Sequence, residues 1–510
     1  MRMNESEIEL QEIGNGQTPA FDGGVYLAHA EPEVAAERLG RKLLGIDELF
    51  PHQRNTIGSV MSGSDALTCV PTGGGKSLCY LLPAMMLPKV TIVVSPLISL
   101  MRDQITKYSA LGFPCDAMDS LQESDKRNLS WKNLEEGRTK ILFVSPERLA
   151  RPQFRERLHR VGVSLVAIDE AHCVSQWGYN FRPDYRKIGE YLEDFSQAPR
   201  LALTASATEE VRRDIVKALG LRIPKVILST VTRSNLQIKV IKAKSVEQQL
   251  TNAISLVPSM SGVGIVYAPT RKKVEEIARV LAADGTPIAR YHAGLMPDER
   301  NNAQRVFMEG KVKAVVATTS FGMGIDKSDV RFVIHAGMPQ CPEQYVQEIG
   351  RAGRDQLPAK CIMLYGPRDF FLQRFLLELS FPETDLLLRT YNAAVEILKV
   401  RRWAEEAWFL REVWAAVKCN REDLESAVQL LCREGLLLVL KEGGSSSDGR
   451  SERLVTIGVE GARAKEFWFH YPSKRQRYFD KLRSMLEFAK LERDHSDWLN
   501  RYFGSDGSAS

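Results

Sequence analysis

Short apolar runs alternating with longer amphipathic stretches between residues 68 and 364 leave this chain few folds to choose from. The runs lie at 91–94, 141–144, 165–168, 201–203, 264–267, 314–317 and 332–335. Runs of this kind separated by helical patterns predict parallel sheets with helices on both faces. Most of them end in a polar or glycine-rich turn: SPLIS, SPER, DEAH, TASAT, APTR and TTSFGMG. In open α/β sheets ligands bind beyond the carboxyl ends of the strands, so the chemistry is expected in those turns. The stretch 231–258 separates two such sheets, with a fresh strand–helix unit starting at Gly262.

At 510 residues the chain is too long for a single core. With 69 basic and 64 acidic side chains the net charge is +5, so a polyanionic partner has to be argued from local features. No apolar run approaches the ~18 residues of a membrane span, and the acidic opening MRMNESEIELQEIG lacks the blocks of a secretory signal. Eight cysteines at 69, 79, 115, 173, 341, 361, 419 and 432 contain no C-x-x-C pair. They fit reduced thiols in a cytosolic protein better than a disulfide framework. Residues 1–32 are expected to form a poorly ordered extension.

PTGGGKS, at 71–77, follows the strand-like LTCV and precedes the apolar helix LCYLLPAMM. Glycines here let backbone amides curl around phosphate oxygens, and the helix N-terminus adds positive potential. Thr72, Gly73, Gly74 and Gly75 would form the cradle, Lys76 would reach the β- and γ-phosphates, and Ser77 would bind Mg²⁺. The strict pattern fails at its first position, which is Val70. Asp169-Glu170-Ala171-His172 ends the run LVAI. A carboxylate pair at a strand end beside a phosphate loop suits Asp169 to Mg²⁺ and Glu170 to polarising the attacking water. His172 either couples this site to its neighbours or is a satisfied polar side chain.

QEIGRAGRD, at 347–355, sets Arg351 and Arg354 three apart, on one face if the segment is helical. Across from the phosphate loop they would neutralise charge developing on the γ-phosphate. Gln347 heads the same motif.

PTGGGKS, DEAHC, ALTASAT, YHAGL, FGMGID and QEIGRAGRD, in this order and spacing, resemble a superfamily-two helicase of the RecQ family. The resemblance covers roughly residues 39–364. Its sharpest marker is SQWGYNFRPDYRKIG, at 175–189, which is similar to the family's aromatic-rich loop. Trp177, Phe181 and Tyr185 would offer stacking faces to single-stranded DNA, and Arg182 and Arg186 positive charge. The resemblance further implies that Gln53 reads the adenine edge, although Phe50 and Ile46 replace the arginine and tyrosine usual on the base side. It places Arg102 of SPLISLMRDQ and His292 of YHAGL on DNA, and Asp326 near the lobe interface. TASAT would link hydrolysis to lobe closure.

The C-terminal third departs from the family's zinc site and winged helix. NREDLESAVQLLCRE, at 420–434, carries Leu424, Ala427, Val428 and Leu431 at helical spacing, before two strand-like runs and the turn KEGGSSSDGR. This reads as a recognition-type helix plus a wing without aromatics. The terminal stretch ending in DHSDWLNRYFG is similar to the helical hairpin of the zinc module, but Asp494 stands where its first cysteine is expected. No zinc is therefore expected; Leu482, Met485, Leu486 and Trp498 would hold the hairpin. Its stretch SKRQRYFDKLR would track phosphates.

The expected fold is α/β: two tandem RecA-like parallel-sheet lobes, then a mostly helical C-terminal region with a winged-helix-like module. The boundaries are an extension at 1–32, lobe 1 at 33–232, lobe 2 at 233–366, a helical connector at 367–400, the winged-helix-like module at 401–462 and the hairpin at 463–510. The expected activity is an ATP- and Mg²⁺-dependent DNA helicase moving 3′→5′ on single-stranded and forked DNA in repair or recombination. The polarity is implied by the resemblance alone. A monomer without a membrane anchor is expected, cytoplasmic and nucleoid-associated, or nuclear in a eukaryote. The alternatives are a DNA-stimulated ATPase that anneals or remodels without unwinding, and an RNA helicase, against which the aromatic-rich loop argues.

Overall fold

A computed structural model describes residues 31–96, 98–119, 122, 124–175, 182–322, 325, 327–401, 403–441, 453–458 and 462–505. Two parallel sheets dominate it. In the first, β1 (Ala66–Cys69), β2 (Val90–Val94), β3 (Cys115–Met118), β4 (Ile141–Val144), β5 (Val163–Ile168), β6 (Arg200–Thr204) and β7 (Lys225–Leu228) lie in the order β3-β4-β2-β5-β6-β1-β7. Strands β1, β2, β4 and β6 are buried along their whole length, as expected of a sheet covered on both faces. The second comprises β8 (Leu236–Lys242), β9 (Val263–Tyr267), β10 (Ile288–Tyr291), β11 (Ala314–Ala317), β12 (Val330–His335) and β13 (Ala359–Tyr365), in the order β10-β11-β9-β12-β13-β8.

The stretch 231–258 is not a separator along its length. Only residues up to Asn235 connect the sheets; β8 pairs in parallel with β13 from Leu236 to Lys242, and the helix Val246–Ser259 packs on the second sheet. Alternating exposure along β8, an edge strand, hid it from a search for continuous apolar runs.

Beyond the second sheet, the helices Thr384–Arg401, Glu406–Val417 and Arg421–Arg433 surround a small antiparallel sheet of β14 (Trp403–Glu405), β15 (Leu437–Lys441) and β16 (Arg453–Ile457). The first of these helices packs on the other two. Its Leu387, Ala394 and Leu398 share a core with Phe409, Val413 and Leu424. The predicted helical spacing is seen in Leu424, Ala427, Val428 and Leu431, all buried; the wing tip lies outside the described residues. Last come the helices Ala462–Lys490 and His495–Tyr502, packed through Leu482, Met485, Leu486, Phe488 and Trp498. No helix among the described residues is long and apolar enough to cross a membrane.

Candidate ATP site at the lobe interface

The phosphate loop is built by small residues. Gly73 (φ +81°) and Gly75 (φ +74°) take left-handed backbone that side chains disfavour. At Gly74 an added Cβ would stand 2.5 Å from Val70 Cγ1, so the glycine makes room for the bulky residue at the head of the loop. Lys76 Nζ donates to the carbonyls of Val70 (3.1 Å) and Pro71 (3.5 Å), and burial holds its ammonium below the usual lysine range against the pull of Glu170 and Asp169. The helix Pro51–Met61 braces the loop from behind. Buried Gln53 accepts from the Phe50 amide (2.9 Å) and donates to Gly75 O (3.1 Å), while His52 Nε2 lies 2.9 Å from Gly74 O. The Gln53 amide has one hydrogen and one lone pair unused, but the side chain is buried and is not among the residues that line the cavity between the lobes. Phe50 stacks on His52 with ring centroids 5.5 Å apart, and is half exposed.

Asp169 and Glu170 follow β5. Burial and the adjacent Glu170 charge raise the Asp169 carboxyl to about 6, with Lys76 opposing. Glu170 adopts φ +48°, uncommon away from glycine, and its Oε2 is buried without a hydrogen-bond partner. His172 is buried; desolvation and the Lys76 charge push it down to about 4, so it is neutral at pH 7. Its Nδ1 lies 3.1 Å from Thr204 Oγ1 in TASAT and 3.3 Å from Glu170 Oε2; its Nε2 lies 3.3 Å from Gln347 Nε2 in the second lobe. A donating Gln347 amide fixes the proton on Nδ1. His172 is thus a bridge between lobes rather than merely a satisfied polar group.

Arg351 and Arg354 do not share a helix face. The helix Pro342–Ile349 ends before them, and both stand on a turn closed by Gly353 at φ +55°. The turn nevertheless meets the phosphate loop. An added Cβ on Gly350 would lie 2.9 Å from Thr72 Cβ, and one on Gly73 would lie 3.1 Å from Arg354 Cγ. Arg351 donates to Gly322 O, leaving its Nε buried and unpartnered. Thr72, Gly73, Gly75, Lys76, Ser77, Asp169, Glu170, Gln347, Arg351 and Arg354 line one cavity of about 1110 Å³, which Arg182 also borders.

Several expected DNA contacts need correction. Tyr185 is fully buried, its hydroxyl within 3.1 Å of Val94 O and 3.0 Å of Asp169 O, so it supports the acidic turn from below and offers no stacking face. His292 is buried with both nitrogens occupied: Nε2 is 2.7 Å from Glu275 Oε1, and Nδ1 accepts from the Gly294 amide. In SKRQRYFDKLR, Lys474, Arg475, Arg477 and Lys481 pair with Glu434, Glu383, Glu210 and Glu343, so these cations fasten the hairpin to the body. Arg102 is well exposed, 3.5 Å from Asp119. Arg182 donates to Pro96 O (2.5 Å), and Arg186 pairs with Asp214. Trp177, Phe181 and Asp326 lie outside the described residues. The sequence reading missed Arg233, which reaches the Arg351–Arg354 turn from the connecting segment; its only signal was a cation in a stretch without periodicity.

Residues 50–214 match the DEAD/DEAH box helicase family and residues 247–356 the helicase conserved C-terminal domain. The chain is 42% identical over 376 residues to the ATP-dependent DNA helicase RecQ of Pasteurella multocida (strain Pm70), covering 74% of this chain and 56% of that protein. It therefore spans little more than half that relative's length. It is 41% identical over 341 residues to the probable ATP-dependent DNA helicase RecS of Bacillus subtilis (strain 168), covering 66% of this chain and 68% of the relative. The structure of S. cerevisiae Dbp5 bound to RNA and ADP BeF3 overlays with a TM-score of 0.53 at 16% identity, covering 70% of this chain and 93% of that one. That likeness concerns the two-lobed fold alone. With two parallel-sheet lobes of this architecture and relatives at this level of identity, the chain belongs to the RecQ family of ATP-dependent DNA helicases.

Proposed function

We propose that the chain is an ATP-hydrolysing DNA helicase that translocates 3′→5′ along single-stranded DNA and opens forked duplexes. The observation that supports this reading most is the meeting of the phosphate loop and the Arg351–Arg354 turn across one cavity. A site divided between two lobes ties nucleotide state to lobe geometry, which a motor requires.

The residues fit ATP and Mg²⁺: a side-chain-free cradle, a buried Glu170 Oε2 with no hydrogen bond and only His172 Nδ1 nearby at 3.3 Å, and a buried, unpartnered Arg351 Nε. Lys76 would leave the loop carbonyls for the β- and γ-phosphates, with Gln53 bracing the loop behind them. Ser77 and the Asp169 carboxylate would hold the cation, which when bound draws charge from the phosphate oxygens. Glu170 would take the proton of the attacking water while Arg351 and Arg354 balance the growing negative charge. His172, neutral, would pass the loss of Glu170's partner to Gln347 and so to the second lobe. Arg102 and Arg182 would meet the DNA backbone, with Trp177 and Phe181 as stacking faces. We further propose that the terminal hairpin holds without zinc, since Asp494 stands at the expected first thiolate and apolar packing joins its helices.

The test is hydrolysis with single-stranded DNA, RNA or neither, followed by unwinding of 3′-tailed against 5′-tailed duplexes. Stimulation by DNA and opening of 3′-tailed substrates are expected. Stimulation by RNA alone sinks the proposal, and DNA-stimulated hydrolysis without strand separation replaces it with an annealing or remodelling ATPase.

A further inference from the structure

The segment joining the lobes does more than connect them. Arg233 lies two residues before Asn235, where the connection ends, and its guanidinium enters the end of the helix Pro342–Ile349. Nη1 donates to Gly353 O (2.6 Å); Nη2 donates to Gly350 O (3.2 Å) and to Ala352 O. Gly353 O also accepts from the Gln356 amide at 3.1 Å, whereas no backbone amide among the described residues reaches Gly350 O or Ala352 O; a cation there also opposes the negative end of the helix dipole. Asn235 Nδ2 completes the clasp, donating to Gly353 O and Leu357 O, each at 2.8 Å. The clasped residues, 350–353, include Arg351 and immediately precede Arg354. The other side of Arg233 faces the first lobe: Nη1 would lie 3.2 Å from a Cβ on Gly73, beside the 3.1 Å of Arg354 Cγ. One side chain therefore touches the connecting segment, the arginine turn and the phosphate loop.

We propose that Arg233 is a positioning residue that holds the Arg351–Arg354 turn in register with the phosphate loop, so that the arginines engage only the transferring phosphoryl group. This rests on the ATP-site reading above. The planar fork is what allows one residue to cap carbonyls in different directions; a lysine has three donors on a single nitrogen and no fork. Burial and the neighbouring Arg354 charge push the guanidinium down to about 10, which leaves it protonated at neutral pH.

The 510-residue chain carries the test as wild type, Arg233→Ala and Arg233→Lys. Affinity is measured calorimetrically for Mg-ADP and for Mg-ADP with aluminium fluoride, a mimic of the transferring phosphoryl group, alongside DNA-stimulated turnover. In the alanine variant ADP affinity should stay within ~2-fold while the gain from aluminium fluoride falls ~10–100-fold. Its kcat should fall ~100-fold with KM changed by less than ~3-fold, and lysine should restore ~10-fold of kcat. An alanine variant that keeps the wild-type gain overturns the proposal. Equal loss of affinity for ADP and for its aluminium fluoride complex also overturns it, because a merely structural role predicts that result. If the alanine variant does not melt cooperatively, the lysine variant alone decides by the same split. A wild-type chain with no gain from aluminium fluoride refutes the ATP-site reading itself rather than the role of Arg233.

Discussion

The two lobes are joined in two different ways. Across the nucleotide cleft the contacts are thin: Gly350 against Thr72, Arg354 against Gly73, and the Gln347–His172 pair at 3.3 Å. At the terminal hairpin a buried ion pair and aromatic packing grip the second lobe, while a partly exposed pair reaches the first. Lys481 pairs with Glu343 at 2.8 Å, Arg477 pairs with Glu210 of the first lobe, and Phe488 packs on Tyr345 with ring centroids 5.1 Å apart. Both joints converge on the helix Pro342–Ile349, the cleft at its end and the hairpin at its start. The contrast separates a joint suited to opening and closing from one suited to holding, because small-residue polar contacts are easily remade whereas a buried ion pair is not.

The largest effect expected is at the cleft. Glu170→Gln should keep ATP affinity and lose ~10²–10⁴-fold in kcat, measured as phosphate release with saturating DNA; full turnover would remove Glu170 as the base. At the holding joint, Lys481→Met strands the Glu343 carboxylate, which is buried beside Cys341 and Tyr502. That should cost about 3–5 kcal/mol, read from denaturant midpoints, with most of it recovered on adding Glu343→Gln. An unchanged midpoint would make the two joints equivalent. Gly350→Ala probes the cleft sterically: the new methyl meets Thr72, and a displaced arginine turn should lower kcat ~10–100-fold without lowering the melting temperature. The smallest effect comes from pH. Asp169 must be ionised to hold a cation, and its raised value of about 6 means that kcat/KM for ATP should fall up to tenfold per unit as pH drops through 6. Lys481 should stay charged over that range: burial lowers its value, but the Glu343 carboxylate outweighs this and holds it above the usual lysine range.

The cleft was largely legible in the sequence and the holding joint was not. Pro71 to Ser77 and Asp169-Glu170 announce themselves because a strand, a sharp turn and a helix leave a dense local pattern. Arg351 and Arg354 were found by spacing but drawn on a helix, although Gly350 and Gly353 are the residue type that ends one. Tyr185 looked like a stacking face because its neighbours are polar. Its burial depends on the carbonyls of Val94 and Asp169, the first of them 91 residues away. SKRQRYFDKLR looked like a solvent-facing basic stripe for the same reason: Glu210, Glu343, Glu383 and Glu434 are remote in sequence. Local pattern reveals chemistry held on one turn; it does not reveal which charges are already spent.

The segment that carries Arg233 is gripped from a distance as well. The amides of Val231 and Thr232 donate to Asn500 Oδ1 at 3.0 and 3.3 Å, and Arg212 donates to Phe503 O at 2.7 Å. During synthesis, about 270 residues must follow this segment before those acceptors exist. At ribosomal rates of roughly 5–20 residues per second, that interval lasts about 13–54 seconds. Once Tyr365 has been made, both sheets can be complete while the segment between them still lacks its final acceptor. The connecting segment is thus completed only when the helix His495–Tyr502 docks on it.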